Sequence, residues 1–358
     1  MFCLGLRIVC AYEQPSAHPL SRPPLYLFSG LSVFSGYIIF SSICVICANL
    51  WMLPSLPMNP LSQLWHLFLA LRPRQWAKNL LLYLAFFFTL GDHVAGDFSG
   101  ELSLFGWATL GFLAFSILSG VTYIINDYFD LEEDRLHPKK QNRPMASGRL
   151  HHKIALAGAA ALAAIGLALS FFINANFGYV AIVYLALTIG YSIVLKDLVI
   201  VDVMAVAGGF VLRAAAGAIA IDVPISPWLY IMTSLGALLI SFGKRRNEMA
   251  TLDTSGETHR PVLKEYSVAL LDQFVAVVAP ATLVAYALYT FTADNLPEND
   301  AMMLTIPFVM FGIFRYLYLI HKKNLGGSPE EIFLTDTPLI INILGWFITA
   351  ASILAATR

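Results

Sequence analysis

Residues 102–134 read LSLFGWATLGFLAFSILSGVTYIINDYFDLEED, an apolar run that closes on an amide and a row of carboxylates. A helical bilayer crossing needs about 20 predominantly apolar residues, and the run from Leu102 to Ile125 meets that length before its first charge. A polar cluster set against the end of such a segment places chemistry at a membrane surface rather than inside a soluble fold. The same pattern recurs along the chain. Apolar stretches able to span occur near 28–53, 79–95, 154–172, 178–195, 199–221, 227–243, 269–292, 301–320 and 337–357. The stretch near 79–95 is interrupted by Asp92, and a helix starting at Trp76 brings it to spanning length.

Composition agrees. Of 358 residues, 58% are hydrophobic and 13% charged, with a mean hydropathy of +0.70. Soluble domains carry about 25% charged residues, so an ordinary soluble fold is excluded. A net charge of −1 leaves no basic excess for nucleic acid, and any functional field must be local. Lysine and arginine fix the orientation, because cytoplasmic loops retain positive charge. With a cytoplasmic start at Trp76, the inside segments hold Arg72, Arg74 and Lys78, then Arg135, Lys139, Lys140, Arg143, Arg149 and Lys153. Lys196 follows, then Lys244, Arg245, Arg246, Arg260 and Lys264, and finally Lys322 and Lys323. The outside loops near 92–101, 173–177, 222–226 and 293–300 hold no basic residue but carry Asp92, Asp97, Glu101, Asp222, Asp294, Glu298 and Asp300. The expectation is an all-α polytopic membrane protein with nine helices after residue 70.

Residues 1–60 fit that pattern less well. A span at 28–53 would leave Arg7 and Arg22 on the outer face, and no A-x-A cleavage site follows it. An extra helix, a peripheral hairpin and an extension upstream of a start at Met58 are the three readings, the last favoured, with the membrane domain at 61–358. The four cysteines, Cys3, Cys10, Cys44 and Cys47, all precede the domain, so it holds neither disulfides nor thiolate metal sites.

At about 100° per residue, Asn126, Asp130, Tyr123, Asp134 and Asp127 fall on one face about 100° wide. Three carboxylates so crowded repel one another and call for a cation. Oxygen donors select Mg²⁺ or a similar hard ion, which takes phosphate oxygens as further ligands. A Mg²⁺-diphosphate is the implied guest, against a solvated acidic helix end as the plain alternative. The loop RLHPKKQNRPMASGR, 135–149, supplies cations suited to phosphate and also to topology. A second cluster, GKRRNE at 243–248, is basic and suits a second phosphate or interfacial anchoring. Arg213, about 16 Å along one helix from Asp202, reads as an anchor for close packing through small residues or as part of a cavity. Arg315 reads as a snorkelling side chain.

These residues resemble a known family. N126-D127-Y-F-D130-L-E-E-D134 is similar to the NDxxDxxxD signature of the UbiA superfamily of membrane prenyltransferases, about nine helices around a central cavity. More narrowly the sequence resembles the decaprenyl-phosphate phosphoribosyltransferase group. The resemblance runs over roughly 65–358 through L71-R-P-R-Q-W-A-K-N79, H137-P-x-K-x-x-R143-P144, Y191-x-x-x-x-K196, L212-R213-A-x-x-G217, G243-K244-R245-x-x-E248, I306-P-F, R315-Y316 and P329-E-E-I. Aromatic prenyltransferases of the superfamily carry a second DxxxD where this chain has K244-R245-R246-N247-E248, an exchange of a metal site for an anion site.

The resemblance implies a Mg²⁺-dependent pentosyltransferase that moves 5-phosphoribose from phosphoribosyl diphosphate to a polyprenyl phosphate, at the cytoplasmic face of a bacterial-type inner membrane. It implies Asp127, Asp130 and Asp134 as metal ligands and Asn126 as orienting the diphosphate. Lys78, Asn79, Tyr123, Lys139, Arg143, Tyr191, Lys196, Lys244 and Arg245 become substrate-binding candidates, with Glu248 a ribose hydroxyl acceptor or an organiser of the cations. Prenyl transfer to an aromatic or other acceptor is the rival within the superfamily. A non-enzymatic carrier of a phosphorylated metabolite is the rival outside it, disfavoured because the polar groups crowd one face and no inverted repeat is visible.

Overall fold

The computed structural model describes residues 59–89, 98–136, 140–225, 227–255 and 261–293, and most of 296–357. The apolar stretch at 28–53, the four cysteines, Arg7, Arg22, Met58 and Lys139 lie outside the described residues, so the expectations for the N-terminal extension stay where the sequence left them. The described residues are helical throughout, with no strand among them. They form α1 (Pro60–Ala70), a 3₁₀ run (Pro73–Leu82) continuing into α2 (Tyr83–Thr89), α3 (Phe98–Phe129), α4 (His152–Ile173), α5 (Ala175–Ile193), α6 (Val201–Ala220), α7 (Pro227–Ser255), α8 (Val268–Thr292), α9 (Ile306–Lys322) and α10 (Thr337–Thr357). Among the described residues, seven helices are long and apolar enough to cross a membrane: α3, α4, α5, α6, α8, α9 with its preceding turn, and α10. The protein is therefore a multi-pass membrane protein. Two of the nine expected spans are more polar stretches. Pro73–Thr89 begins with ten 3₁₀ residues, and α7 carries Lys244, Arg245 and Arg246 near its end.

Large apolar side chains such as Phe172, Val277, Leu304 and Ile348 stay exposed, as lipid-facing residues should. The most enclosed spans are α3 and α6. Helix α6 is central because its buried face is small: Ala205, Ala207, Gly209, Ala214, Ala216, Gly217, Ala218 and Ala220. Small residues let helix backbones approach where lipid removes the hydrophobic drive for association. The closest approach is at Gly217, where a Cβ would stand 2.1 Å from the Leu82 carbonyl oxygen of the 3₁₀ run.

Local signals place the ends. Asn174 caps α5 by accepting from Phe177 N at 2.8 Å while its amide donates to Ile219 O at 2.9 Å, stitching α5 to α6. Ser267 caps α8 in the same way, accepting from Leu270 N at 3.2 Å. On the basic side, Gln63 of α1 is buried, donating to Arg149 O at 2.9 Å and accepting from His151 N at 3.2 Å. That bracket ties α1 to the end of the basic loop and the start of α4.

Candidate active site

Helix α3 stops at Phe129, and a short helical turn, Leu131–Leu136, continues the chain. Backbone bonds Asp130 N to Asn126 O (2.9 Å) and Asp134 N to Asp130 O (2.8 Å) carry the helical register across the break. Asp127 and Asp134 thus remain on one side, as the sequence spacing requires, and both are buried, at 3% and 1% exposure. Basic side chains from distant segments meet them. Arg72 donates to Asp127 Oδ1, and Arg143 Nη1 donates to the same oxygen at 3.1 Å and to Asp134 Oδ2. Lys196 reaches Asp130 Oδ1 at 2.7 Å, and Asn126 donates to the other Asp130 oxygen at 2.8 Å. The structure thereby gathers Asn126, Asp127, Asp130, Asp134, Arg143 and Lys196 into one cluster.

The three carboxylates expected to hold a metal do not converge on one point. Among the described residues, no group of three His, Cys, Asp or Glu side chains stands close enough to hold an ion. Buried carboxylates cannot sit side by side uncompensated, so cations have come between them. Two carboxylates do converge, on Arg143 Nη1, and Asp130 is drawn aside to Lys196. The donors nonetheless fit a hard divalent ion. Mg²⁺ is commonly held by one or two carboxylates, the rest of its shell being water and phosphate. Asp134 Oδ1 is moreover buried without a hydrogen-bond partner, Lys140 Nζ being 3.9 Å away.

The sequence assigns Arg72 only to the cytoplasmic side. Its backbone stands at φ 51°, ψ 65°, immediately before Pro73. A residue preceding proline favours extended backbone, and a non-glycine residue at positive φ costs about 1–3 kcal/mol. Strain of that size persists only where the surroundings enforce it. Here the bond to Asp127 and the packing of the guanidinium over the Tyr123 ring, 5.0 Å from its centroid, hold the side chain.

A second cluster surrounds Arg245, which is buried at 4% exposure. Its Nε donates to Asp202 at 2.7 Å, Nη1 to Glu248 at 2.5 Å and Nη2 to Tyr191 Oη at 3.1 Å. Tyr266 donates to the other Asp202 oxygen at 2.8 Å and accepts from Ile200 N at 2.7 Å. Burial pushes the Tyr266 hydroxyl up to about 12, so it stays protonated as the donor. Ile200 is at φ 69°, a conformation a β-branched side chain rarely adopts. Arg245, one of the expected substrate-binding residues, is thus enclosed and neutralised by two carboxylates. Arg246 is likewise paired, donating to Asp272 at 2.5 Å. Lys244 and Lys78, also expected to bind substrate, are half-buried.

Asn79, another of the expected substrate-binding residues, is enclosed in the bundle. Buried at 1% exposure, it accepts from Arg213 Nε at 2.7 Å and donates to Ser116 (3.1 Å) and Ser119 (3.2 Å). Arg213 also donates to Gly209 O and Tyr184 Oη. This knot ties the 3₁₀ run, α3, α5 and α6 together inside the bundle, and it is the packing anchor that the small residues of α6 suggested. Arg315 does not snorkel freely either: it grips Asp336 at 3.1 and 2.8 Å. Asp202, Tyr266 and Asp272 were not singled out as site residues, and only Asp202 gave a signal, a carboxylate in the first turn of an apolar helix.

The sequence matches the family model described as the UbiA prenyltransferase family over residues 80–335. The decaprenyl-phosphate phosphoribosyltransferase of Mycolicibacterium smegmatis is 33% identical over 284 residues, covering 77% of this chain and 88% of its own. That of Mycobacterium tuberculosis strain H37Rv is 32% identical over 286 residues, covering 80% and 93%. A solved UbiA homolog from Archaeoglobus fulgidus bound to GPP and Mg²⁺ aligns with a TM-score of 0.61 at 20% identity, over 81% of this chain and 99% of that one, which bears on the fold. Matched by the family over most of the bundle and by these transferases over nearly their whole lengths, the chain belongs to the UbiA prenyltransferase family and is a membrane transferase.

Proposed function

We propose that the protein transfers 5-phosphoribose from phosphoribosyl diphosphate to a polyprenyl phosphate, releasing diphosphate, at the cytoplasmic face of a bacterial-type inner membrane. The observation that carries the reading is the acidic floor of Asp127 and Asp134, rimmed by Arg72, Arg143 and Lys196. The names of the relatives support the acceptor and the transferred group. Asp127 and Asp134, with Asp130 beside them, would hold Mg²⁺, which supplies Lewis-acid neutralisation of the leaving diphosphate. Arg143 and Lys196 would take diphosphate oxygens, and Asn126 would orient them. Lys244 and Lys78 would bind the lipid phosphate. In the transfer, the bond from ribose C1 to the diphosphate oxygen breaks and its electron pair leaves with diphosphate. A lipid phosphate oxygen supplies the pair for the new bond. That oxygen is already anionic near neutral pH, so the reaction needs no proton removal and the site needs no general base.

Purified protein incubated with Mg²⁺, a polyprenyl phosphate and phosphoribosyl diphosphate labelled in the ribose should move label into the organic phase. Consumption of a prenyl diphosphate, with phosphoribosyl diphosphate ignored, would replace this reading by prenyl transfer.

A further inference from the structure

We infer that Arg72 is a diphosphate-binding residue which, before substrate arrives, occupies the metal-binding carboxylate as its counter-ion. It exchanges Asp127 for diphosphate as the metal–diphosphate complex binds. The inference rests on the metal-diphosphate reading of this site and adds a residue and a coupling to it.

Three observations lead there. Asp127 Oδ1 accepts from both Arg72 and Arg143, so one carboxylate oxygen holds two guanidinium groups. The carboxylates lie beneath and the cations above: side-chain exposure is 3% for Asp127 and 1% for Asp134, against 27% for Arg72 and 23% for Arg143. An ion approaching those carboxylates from solvent meets the guanidinium groups first. Finally, Arg72 issues from a left-handed backbone position before Pro73 and lies over the Tyr123 ring, on the helix face that bears Asn126 and Asp127. The Asp127 contact can therefore be given up while the ring still holds the side chain near the site.

The exchange follows from charge. A divalent ion that takes Asp127 Oδ1 without an anion displaces the Arg72 contact and leaves a guanidinium beside new positive charge. With diphosphate present, the released guanidinium gains a bidentate anionic partner. Arg72 therefore opposes metal binding alone and favours metal and diphosphate together, which is positive coupling of the two ligands.

Mn²⁺ binding to the purified full chain in detergent, followed by electron paramagnetic resonance with and without inorganic diphosphate, tests this. In the unaltered protein, diphosphate should tighten Mn²⁺ binding by about 5- to 150-fold, the usual range of such coupling. Arg72→Gln should bind Mn²⁺ alone more tightly than the unaltered protein, with the diphosphate effect reduced. Arg72→Lys, which keeps the charge and loses the fork, should recover part of the coupling. A merely structural arginine would weaken both measurements. Weaker Mn²⁺ binding by Arg72→Gln alone, or undiminished coupling, overturns the role of Arg72. Mn²⁺ binding that is absent from the unaltered protein, or unchanged by Asp127→Asn, overturns the metal reading itself.

Discussion

Asp127 shows how much depends on one side chain. It is nearly inaccessible, yet it is shared by two guanidinium groups from segments 55 and 16 residues away. Asparagine keeps its shape and removes its charge. Asp127→Asn should leave a folded protein in detergent and cut phosphoribosyl transfer by about 10²–10³-fold, the scale of losing one electrostatic stabiliser of a transition state. Initial rates at saturating phosphoribosyl diphosphate measure it, and near-normal turnover would remove Asp127 from the reaction.

At the scale of elements, helix contacts decide stability. The Gly217 position leaves no room for a side chain beside the Leu82 carbonyl, so Gly217→Ala must push α6 from the 3₁₀ run. A loss of about 1–3 kcal/mol is expected, the cost of overpacking a close contact, read from the unfolding midpoint in detergent. Helices α9 and α10 are joined differently. Asp336 accepts from Arg315 and caps α10 by accepting from Leu339 N at 3.0 Å. The Arg315 hydrogen bond holds the Asp336 carboxyl below its ordinary value of 3.8. A carboxylate depressed on folding contributes stability that is complete above the unfolded value and lost as pH falls through the folded one. The midpoint of the protein should fall below about pH 4, while Asp336→Asn, already lacking the charge, should lose that part of the pH dependence.

Across the whole molecule, the acid-base cluster and the Arg245 cluster are linked by the short segment between α5 and α6. Its Lys196 reaches Asp130, and its Ile200 amide reaches Tyr266. Asp202 sits at the join, fully buried, serving Arg245 and Tyr266 together. Removing one charge from a buried pair costs about 3–5 kcal/mol because the other is left uncompensated. Asp202→Asn should fall toward the lower end of that range, since Glu248 still faces Arg245, and a lowered unfolding midpoint measures it. A midpoint equal to that of the unaltered protein would show that Glu248 alone suffices.

Hydropathy and charge are local properties, so the chain by itself determined a helical membrane protein and the place of the NDxxDxxxD cluster at one helix end. The spacing of Asn126, Asp127, Asp130 and Asp134 sufficed to put them on one side of the helix end, because a helix fixes neighbours three and four residues apart. Which cation neutralises which carboxylate lay beyond that reach. Arg72 with Asp127, Asp202 with Arg245 and Asn79 with Arg213 are 55, 43 and 134 residues apart. Only packing brings such partners into contact. It tied Asn79 and Arg245 into buried networks, and it drew Arg72 to the carboxylate floor, because a charge taken out of water must be met by whatever opposite charge the folded chain carries to it.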